Sequence, residues 1–267
     1  MNRVITKTHL SENVIQLEIE APLVALAHRP GNFVIIRTGQ QGERVPLTIA
    51  AADQQRGTIT LVIQTVGHTT RLLAALQPGD RLTDLVGPLG RPTRVHRVGT
   101  LLACGGGVGI APLLPIVAAF KAAGNRVISV IAGRGSKQII LENEIRKHSD
   151  ETIIMTDDGT LGHRGLVTDG MQRVIQREPV HLAITIGPAI MMKFAAEITR
   201  PLQIPTIASL NAIMVDGTGM CGACRVTVGG KTRFTCVDGP EFDAHQVNFD
   251  ELINRLAAYR DQENATN

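Results

Sequence analysis

The chain has 267 residues, 43% of them apolar and 19% charged, with a formal net charge of +3. This apolar share supports a sizeable core and the low charge density argues against a disordered chain, while the length suits two domains or three small ones. There is no long basic run, no Trp, one Tyr and six Phe, so the charge and the stacking rings that nucleic acid or an anionic membrane surface would require are both missing.

Met1 to Lys7 contain no signal-type apolar stretch, which makes the cytoplasm the expected compartment. Residues 1–96 read as a β-rich unit. Ile15, Leu17 and Ile19 alternate with Gln16, Glu18 and Glu20, the period of a half-buried strand. Further strands are expected at 33–37, 46–50, 58–64 and 81–86. Turns are expected at Pro30-Gly31, Gln41-Gly42, Pro78-Gly79 and Pro88. Short strands with Gly/Pro punctuation indicate an antiparallel barrel or sandwich.

The pattern then changes. Residues 97–208 alternate expected strands (99–104, 127–132, 152–156, 180–186) with expected helices (110–123, 141–147, 166–176, 189–199). This β-α-β order implies a parallel sheet covered by helices, an α/β nucleotide-binding domain. Residues 101–120 carry no charge, long enough for a membrane span by length alone. Gly105, Gly106, Gly107 and Gly109 inside that run argue against one, since each glycine destabilises a helix by roughly 1 kcal/mol. Residues 209–259 form a third, small unit that holds three of the four cysteines and a helix expected at 249–259. A polar tail, 260–267, follows.

Gly105, Gly106, Gly107, Val108 and Gly109 stand between an expected strand and a helix, with Pro112 in the first helical turn. Glycines let the backbone approach a pyrophosphate, and the helix N-terminus offers free N–H groups. Position 110 is Ile, so the strict dinucleotide fingerprint is absent, and a tight ligand-free turn is the competing reading. A second loop, Gly187, Pro188 and Met191, follows the last strong strand, and both loops can flank one nucleotide. Arg134, after another strand, suits a ribose or phosphate, or equally a solvated loop. Cys104 reads as a small buried hydrophobe.

Cys221 and Cys224 form a Cys-x2-Cys pair, and Cys236 follows twelve positions on. Three thiolates need a fourth ligand to complete a metal site or a [2Fe–2S] rhombus. Plant-type spacing puts that ligand five residues before Cys221, where Asp216 stands. Asp238, His245 and Cys104 are the alternatives, and structural zinc remains an alternative to iron.

These residues resemble the ferredoxin-reductase-like electron-transfer subunits that carry FAD and a [2Fe–2S] cluster. The similarity runs over about residues 3–256 and is most specific at 213–226 and 234–243. Two branches are close: the small subunits of NADH-dependent ferredoxin:NADP oxidoreductase and sulfide dehydrogenase, and the electron-transfer subunit of dihydroorotate dehydrogenase B. One Asp with three Cys favours the first, bifurcating branch; four Cys are expected in the second. The resemblance implies an N-terminal FAD barrel contacted by Arg44, Pro46, Leu47 and Thr48, with Leu47 where the family usually places an aromatic ring. It also implies a phosphate-side turn at Gly67, Thr69 and Thr70. NAD(H) is expected on the two glycine loops, with Asp157 nearby, and Asp216, Cys221, Cys224 and Cys236 are expected to hold the cluster. A larger flavoprotein with iron–sulfur clusters is the implied partner, in a heterodimer. No general acid or base is expected. A zinc- and nucleotide-binding sensor or scaffold is the non-redox alternative.

Overall fold

The structure is a computed structural model that describes residues 2–39 and 42–258. The expected tail at 260–267, Tyr259 and Gln41 of the expected Gln41-Gly42 turn lie outside the described residues. The chain opens with β1 (Val4–Ser11), β2 (Val14–Glu20), α1 (Pro22–Ala27), β3 (Phe33–Arg37), β4 (Val45–Asp53), β5 (Thr58–Gln64), α2 (His68–Ala75) and β6 (Asp84–Leu89). The six strands form one antiparallel sheet in the order β1-β2-β5-β4-β3-β6. The sheet curls closed where Arg3 bridges Arg81 and the Val4 N–H donates to the Asp80 carbonyl at 2.8 Å. Ile15, Leu17 and Ile19 of β2 fill the interior with Ile36, Ile49, Ile59 and Leu61, as the alternation predicts.

Three expectations shift here. The strand expected at 81–86 lies at Asp84–Leu89, and the turn expected at Pro88 lies inside it. β6 is the terminal strand of the sheet order, so Pro88 forfeits no inner ladder bond. Gly87 and Pro88 fall at a register irregularity opposite Val34, where an added Cβ on Gly87 would stand 2.6 Å from Val34 Cγ1. The expected phosphate-side turn at 67–70 is the start of the helix α2.

The middle of the chain holds β7 (Thr100–Gly106), α3 (Ile110–Ala122), β8 (Arg126–Gly133), α4 (Glu142–Lys147), β9 (Glu151–Thr156), β10 (His163–Arg164), α5 (Val167–Arg177), β11 (Leu182–Ile186), α6 (Ala189–Thr199) and β12 (Thr206–Ser209). The uncharged 101–120 run is therefore a strand, a short 3₁₀ turn at Gly107–Gly109 and most of α3. No helix among the described residues is long and apolar enough to cross a membrane. β7 is buried along its whole length, the near-continuous apolar run of a central parallel strand. Leu113, Ile116, Val117 and Phe120 of α3 cover one face of the sheet. Met171 and Val174 of α5 with Ala195 of α6 cover the other.

The last part comprises β13 (Arg225–Val228), β14 (Lys231–Phe234), α7 (Thr235–Asp238), β15 (Glu241–Asp243) and α8 (Phe249–Ala257). β13 and β14 pair as a hairpin. β15 joins β12 antiparallel, so the otherwise parallel sheet reads β10-β9-β8-β7-β11-β12-β15. The Asn248 side chain accepts the Glu251 N–H at 3.1 Å and starts α8. Phe33 and Ile35 of the barrel, Met192 and Ala196 of α6, and Cys224, Val226, Cys236 and Leu252 share one core. The C-terminal part is thus built onto both other parts.

Candidate functional site

A cleft of about 1080 Å³ lies where the three parts meet, larger than the roughly 300–1,000 Å³ of ordinary ligand pockets and so roomy enough for two ligands. Pro46, Leu47 and Thr48 of β4 form its barrel wall, with Phe33 and Val62. Gly106, Gly107, Val108, Gly109 and Pro112 form the floor, joined by Gly187, Pro188 and Met191. Arg134 and Asp157, after the neighbouring strands β8 and β9, are the charged residues of the lining among the described residues. Asn211, Met214 and Pro240 complete the C-terminal wall. Ligands in open α/β sheets bind at these carboxyl ends of the strands.

The glycines of the first loop differ in what they do. Gly107 has φ +56° and nothing within 4 Å of an added Cβ, so its backbone is open to the cleft. Gly109 packs against Ile186, whose carbonyl would lie 2.5 Å from a Cβ there. Gly105 does not line the cleft: a Cβ would meet Leu113 and Ile110, so this glycine serves the packing of α3 on β7. No side chain caps the N-terminus of α3, and the Ile110 N–H already donates to the Gly107 carbonyl within the 3₁₀ turn, so the N–H groups left to a ligand are those of the turn itself.

Arg44, Gly67, Thr69 and Thr70 lie outside the cleft lining. Thr70 Oγ1 accepts the Gly67 N–H at 2.9 Å, capping α2, and Thr69 Oγ1 accepts the Glu43 N–H at 3.2 Å. α2 thereby holds the loop that leads into β4. Arg44 Nε donates to the Val215 carbonyl at 2.8 Å, so this arginine ties the barrel to the cysteine loop.

In that loop Gly217, Gly219 and Gly222 all take left-handed φ, +76°, +84° and +68°, conformations that L side chains disfavour. Asp216 Oδ1 accepts the Thr218 N–H at 2.8 Å and Oδ2 the Cys221 N–H at 2.9 Å; these bonds hold its carboxyl below the usual range. Cys224 and Cys236 are buried with their sulfurs 3.2 Å apart, and Cys221 is exposed. Burial, and then the contact with Cys224, push the Cys236 thiol up to about 12. The sulfur pair is somewhat tighter than the ~3.8 Å edge expected of two thiolates on one tetrahedral metal with ~2.3 Å bonds. Among the described residues no three such side chains close on a common point. Of the alternative fourth ligands, Asp238 accepts the Phe234 N–H at 2.9 Å and His245 Nε2 bonds Thr199 Oγ1 at 2.9 Å, each with one hydrogen bond where Asp216 has two. Cys104 is fully buried in β7, where desolvation raises its thiol far above the ordinary value. The donor set on the loop, a soft buried sulfur pair beside a third thiol and a carboxylate with glycine N–H groups between them, suits an iron–sulfur cluster.

The loop is fixed against the barrel. A Cβ on Gly217 would lie 2.6 Å from Ile35 Cδ1. Arg91 Nε donates to the Val237 carbonyl at 3.0 Å, and Thr93 Oγ1 donates to Glu241 Oε1 at 2.6 Å. Met214 and Pro240, both cleft residues, bracket the segment that carries the cysteines, so loop and cleft adjoin. Arg91, Thr93 and Glu241 escape sequence reasoning because nothing local marks two segments 148 positions apart as partners.

Comparison with known proteins agrees with this geometry. Residues 2–93 match the oxidoreductase FAD-binding domain, and residues 211–248 match the iron-sulfur cluster binding domain of dihydroorotate dehydrogenase B. A Thermotoga maritima protein described as a dihydroorotate dehydrogenase B (NAD(+)) electron transfer subunit homolog is 45% identical, over 98% of this chain and 93% of its own. The dihydroorotate dehydrogenase B electron transfer subunit of Desulforamulus reducens is 30% identical over 89% of this chain and 94% of its own. A solved structure of NADH-dependent reduced ferredoxin-NADP oxidoreductase, concerned with flavin-based electron bifurcation, superposes with a TM-score of 0.95 at 44% identity, covering 100% of this chain and 96% of that one. The Amycolatopsis cytochrome P450 reductase GcoB, 19% identical with a TM-score of 0.64 over 76% of this chain and 65% of that one, shares the fold alone. The chain belongs to the family of dihydroorotate dehydrogenase B type electron-transfer subunits, in which an FAD-binding oxidoreductase domain is joined to an iron–sulfur-cluster-binding domain.

Proposed function

We propose that the chain is the NAD(H)-facing electron-transfer subunit of a cytoplasmic complex of the ferredoxin:NADP oxidoreductase type, paired with a larger flavoprotein that carries its own iron–sulfur clusters. The observation that carries this reading is the single cleft joining β4, both glycine loops and the cysteine-bearing segment. When bound, FAD supplies hydride acceptance and one-electron release, and a [2Fe–2S] cluster supplies one-electron relay.

The chain's own residues do the positioning. Pro46, Leu47 and Thr48 offer a mostly apolar wall with one hydroxyl for a flavin. Gly107 and the 3₁₀ turn that opens α3 offer N–H groups to a pyrophosphate. Arg134 and Asp157 offer one charge of each sign to a nucleotide. Asp216, Cys221, Cys224 and Cys236 would hold the cluster. Free, clustered thiols accord with a reducing compartment.

Asp216 in place of a fourth cysteine favours this branch over a dihydroorotate-oxidising complex, and the 44% identity to the ferredoxin-linked structure exceeds the 30% to the dihydroorotate dehydrogenase B subunit of Desulforamulus reducens, although the Thermotoga maritima homolog of that subunit is 45% identical. The test is an anaerobic preparation, its visible spectrum, and a titration with NADH. Flavin bands over a broad cluster absorption, bleached by NADH, are expected. A colourless protein that contains zinc would overturn the reading. Co-purification with a larger subunit, followed by assays for NADP reduction and for dihydroorotate oxidation, separates the two branches.

A further inference from the structure

We infer that Met191 is a displaceable gate at the crossing of the two glycine loops, controlling how a pyridine nucleotide enters the cleft; the inference rests on the nucleotide reading of that cleft. β7 and β11 are paired neighbours, with Gly105 opposite Ile186, so Gly106 and Gly187 leave their strands side by side. Met191, in the first turn of α6, lies over both. An added Cβ on Gly106 would stand 2.4 Å from Met191 Sδ, and one on Gly187 would stand 2.7 Å from Met191 Cε. The room that two glycines clear is therefore filled by one thioether of the chain itself. Gly107, the next residue, has no such cover.

A nucleotide that reaches the backbone of Gly106 or Gly187 has to move this side chain. Methionine suits the task, because it is unbranched, with three rotatable bonds, and repacks at low cost. Exposed or half-exposed side chains change rotamer in picoseconds to nanoseconds, so such a gate need not limit turnover. Met191 is only partly buried, unlike its neighbour Met192, and borders the cleft into which it can turn. It touches two of the apolar cores without being a central member of either, so its departure leaves both largely intact.

The experiment uses the chain loaded with FAD and cluster, comparing wild type with Met191→Ala and Met191→Ile. NAD+ affinity is read from the perturbation of the flavin spectrum, NADH dependence from stopped-flow bleaching, and thermal stability separately. Met191→Ala opens the crossing and should tighten NAD+ binding at least threefold. Met191→Ile, β-branched and stiff at χ1, should weaken it at least fivefold. Both should keep full FAD content and normal reduction by dithionite. Unchanged affinity in both variants with only a lowered Tm would make Met191 a packing residue and overturn the gate. Weaker binding by Met191→Ala would make it a nucleotide contact and overturn it equally. If the wild type itself binds no NAD+ and is not bleached by NADH, the nucleotide reading fails and the gate falls with it.

Discussion

Asp216 is placed so that its carboxylate can play two parts. In the structure it accepts the N–H groups of Thr218 and Cys221 and so shapes the loop; as a cluster ligand it would supply a hard oxygen donor among three sulfurs. Three substitutions separate the parts. Asp216→Ala removes both and should lose iron and labile sulfide while FAD stays bound. Asp216→Asn keeps one of the two loop acceptors and no anionic donor, so it should hold the loop better than Asp216→Ala while still losing iron. Asp216→Cys supplies a fourth thiolate and should retain iron with an altered reduced-state EPR spectrum. Full iron content and an unchanged spectrum in Asp216→Ala would remove it from the ligand set. Glu241 gives a pH signature at the same scale. Burial raises its carboxyl above the ordinary 4.5, so between 4.5 and the raised value the folded chain binds more protons than the unfolded one. Stability from this group is full below 4.5 and is lost as the pH climbs through the folded value. Glu241→Gln keeps an oxygen for the Thr93 hydroxyl and cannot ionise. Its Tm should exceed that of the wild type by a margin that grows with pH, and a constant margin from pH 4.5 to 8 would contradict this.

At the scale of elements, the 105–109 loop separates ligand from packing. Gly107 is the open, left-handed position, and a side chain there costs roughly 1–2 kcal/mol in backbone strain. Gly107→Val should abolish bleaching of the flavin by NADH while dithionite reduction persists; normal NADH bleaching would detach the loop from the nucleotide. Gly109→Ala pushes a Cβ to within 2.5 Å of the Ile186 carbonyl and should instead lower stability by about 1–3 kcal/mol, as overpacking does, measured by chemical denaturation. α5 was readable because its apolar residues repeat at helical spacing, the apolar α3 because it follows a glycine loop and is closed by Gly124, and α6 falls at 189–199 as the strand-helix alternation places it. β1, α2 and β15 were not. β1 carries Thr6, Lys7, Thr8 and His9 in sequence and buries little beyond Val4, α2 begins with polar residues that read as a turn, and β15 is three residues long and is defined by its partner β12 rather than by its own pattern. The cysteine spacing was legible because chemistry fixes it, whereas the partition of the five loop residues into open, packing and covered positions depends on α3 and Met191, which no local pattern reveals.

Over the whole molecule, the path from cleft to cysteines depends on how firmly the C-terminal part is held to the barrel. Its attachment is of two kinds. The shared core of Phe33, Ile35, Cys224, Cys236 and Leu252 gives adhesion without direction. The polar clasp gives register: Arg91 N donates to the Gly239 carbonyl at 2.6 Å, Arg91 Nε to the Val237 carbonyl at 3.0 Å, and the Thr93 hydroxyl to Glu241 at 2.6 Å. The ion pair of Arg91 with Asp238 at 3.6 Å has an exposed arginine and a half-buried aspartate and adds about 1 kcal/mol. Thr93→Val is more damaging, because it leaves a buried carboxylate oxygen without its donor, at a cost of about 1–3 kcal/mol. Neither residue lines the cleft, so bleaching of the flavin by NADH should proceed at the wild-type rate in an Arg91→Ala, Thr93→Val double variant. Electron transfer falls steeply with separation and with looser docking, so the subsequent reduction of the cluster, followed by freeze-quench EPR, should slow several-fold. Slowed bleaching with an unaltered ratio of the two rates would mean that the clasp supports the cleft as a whole. Wild-type rates for both steps would mean that the apolar core alone sets the register between barrel and cluster.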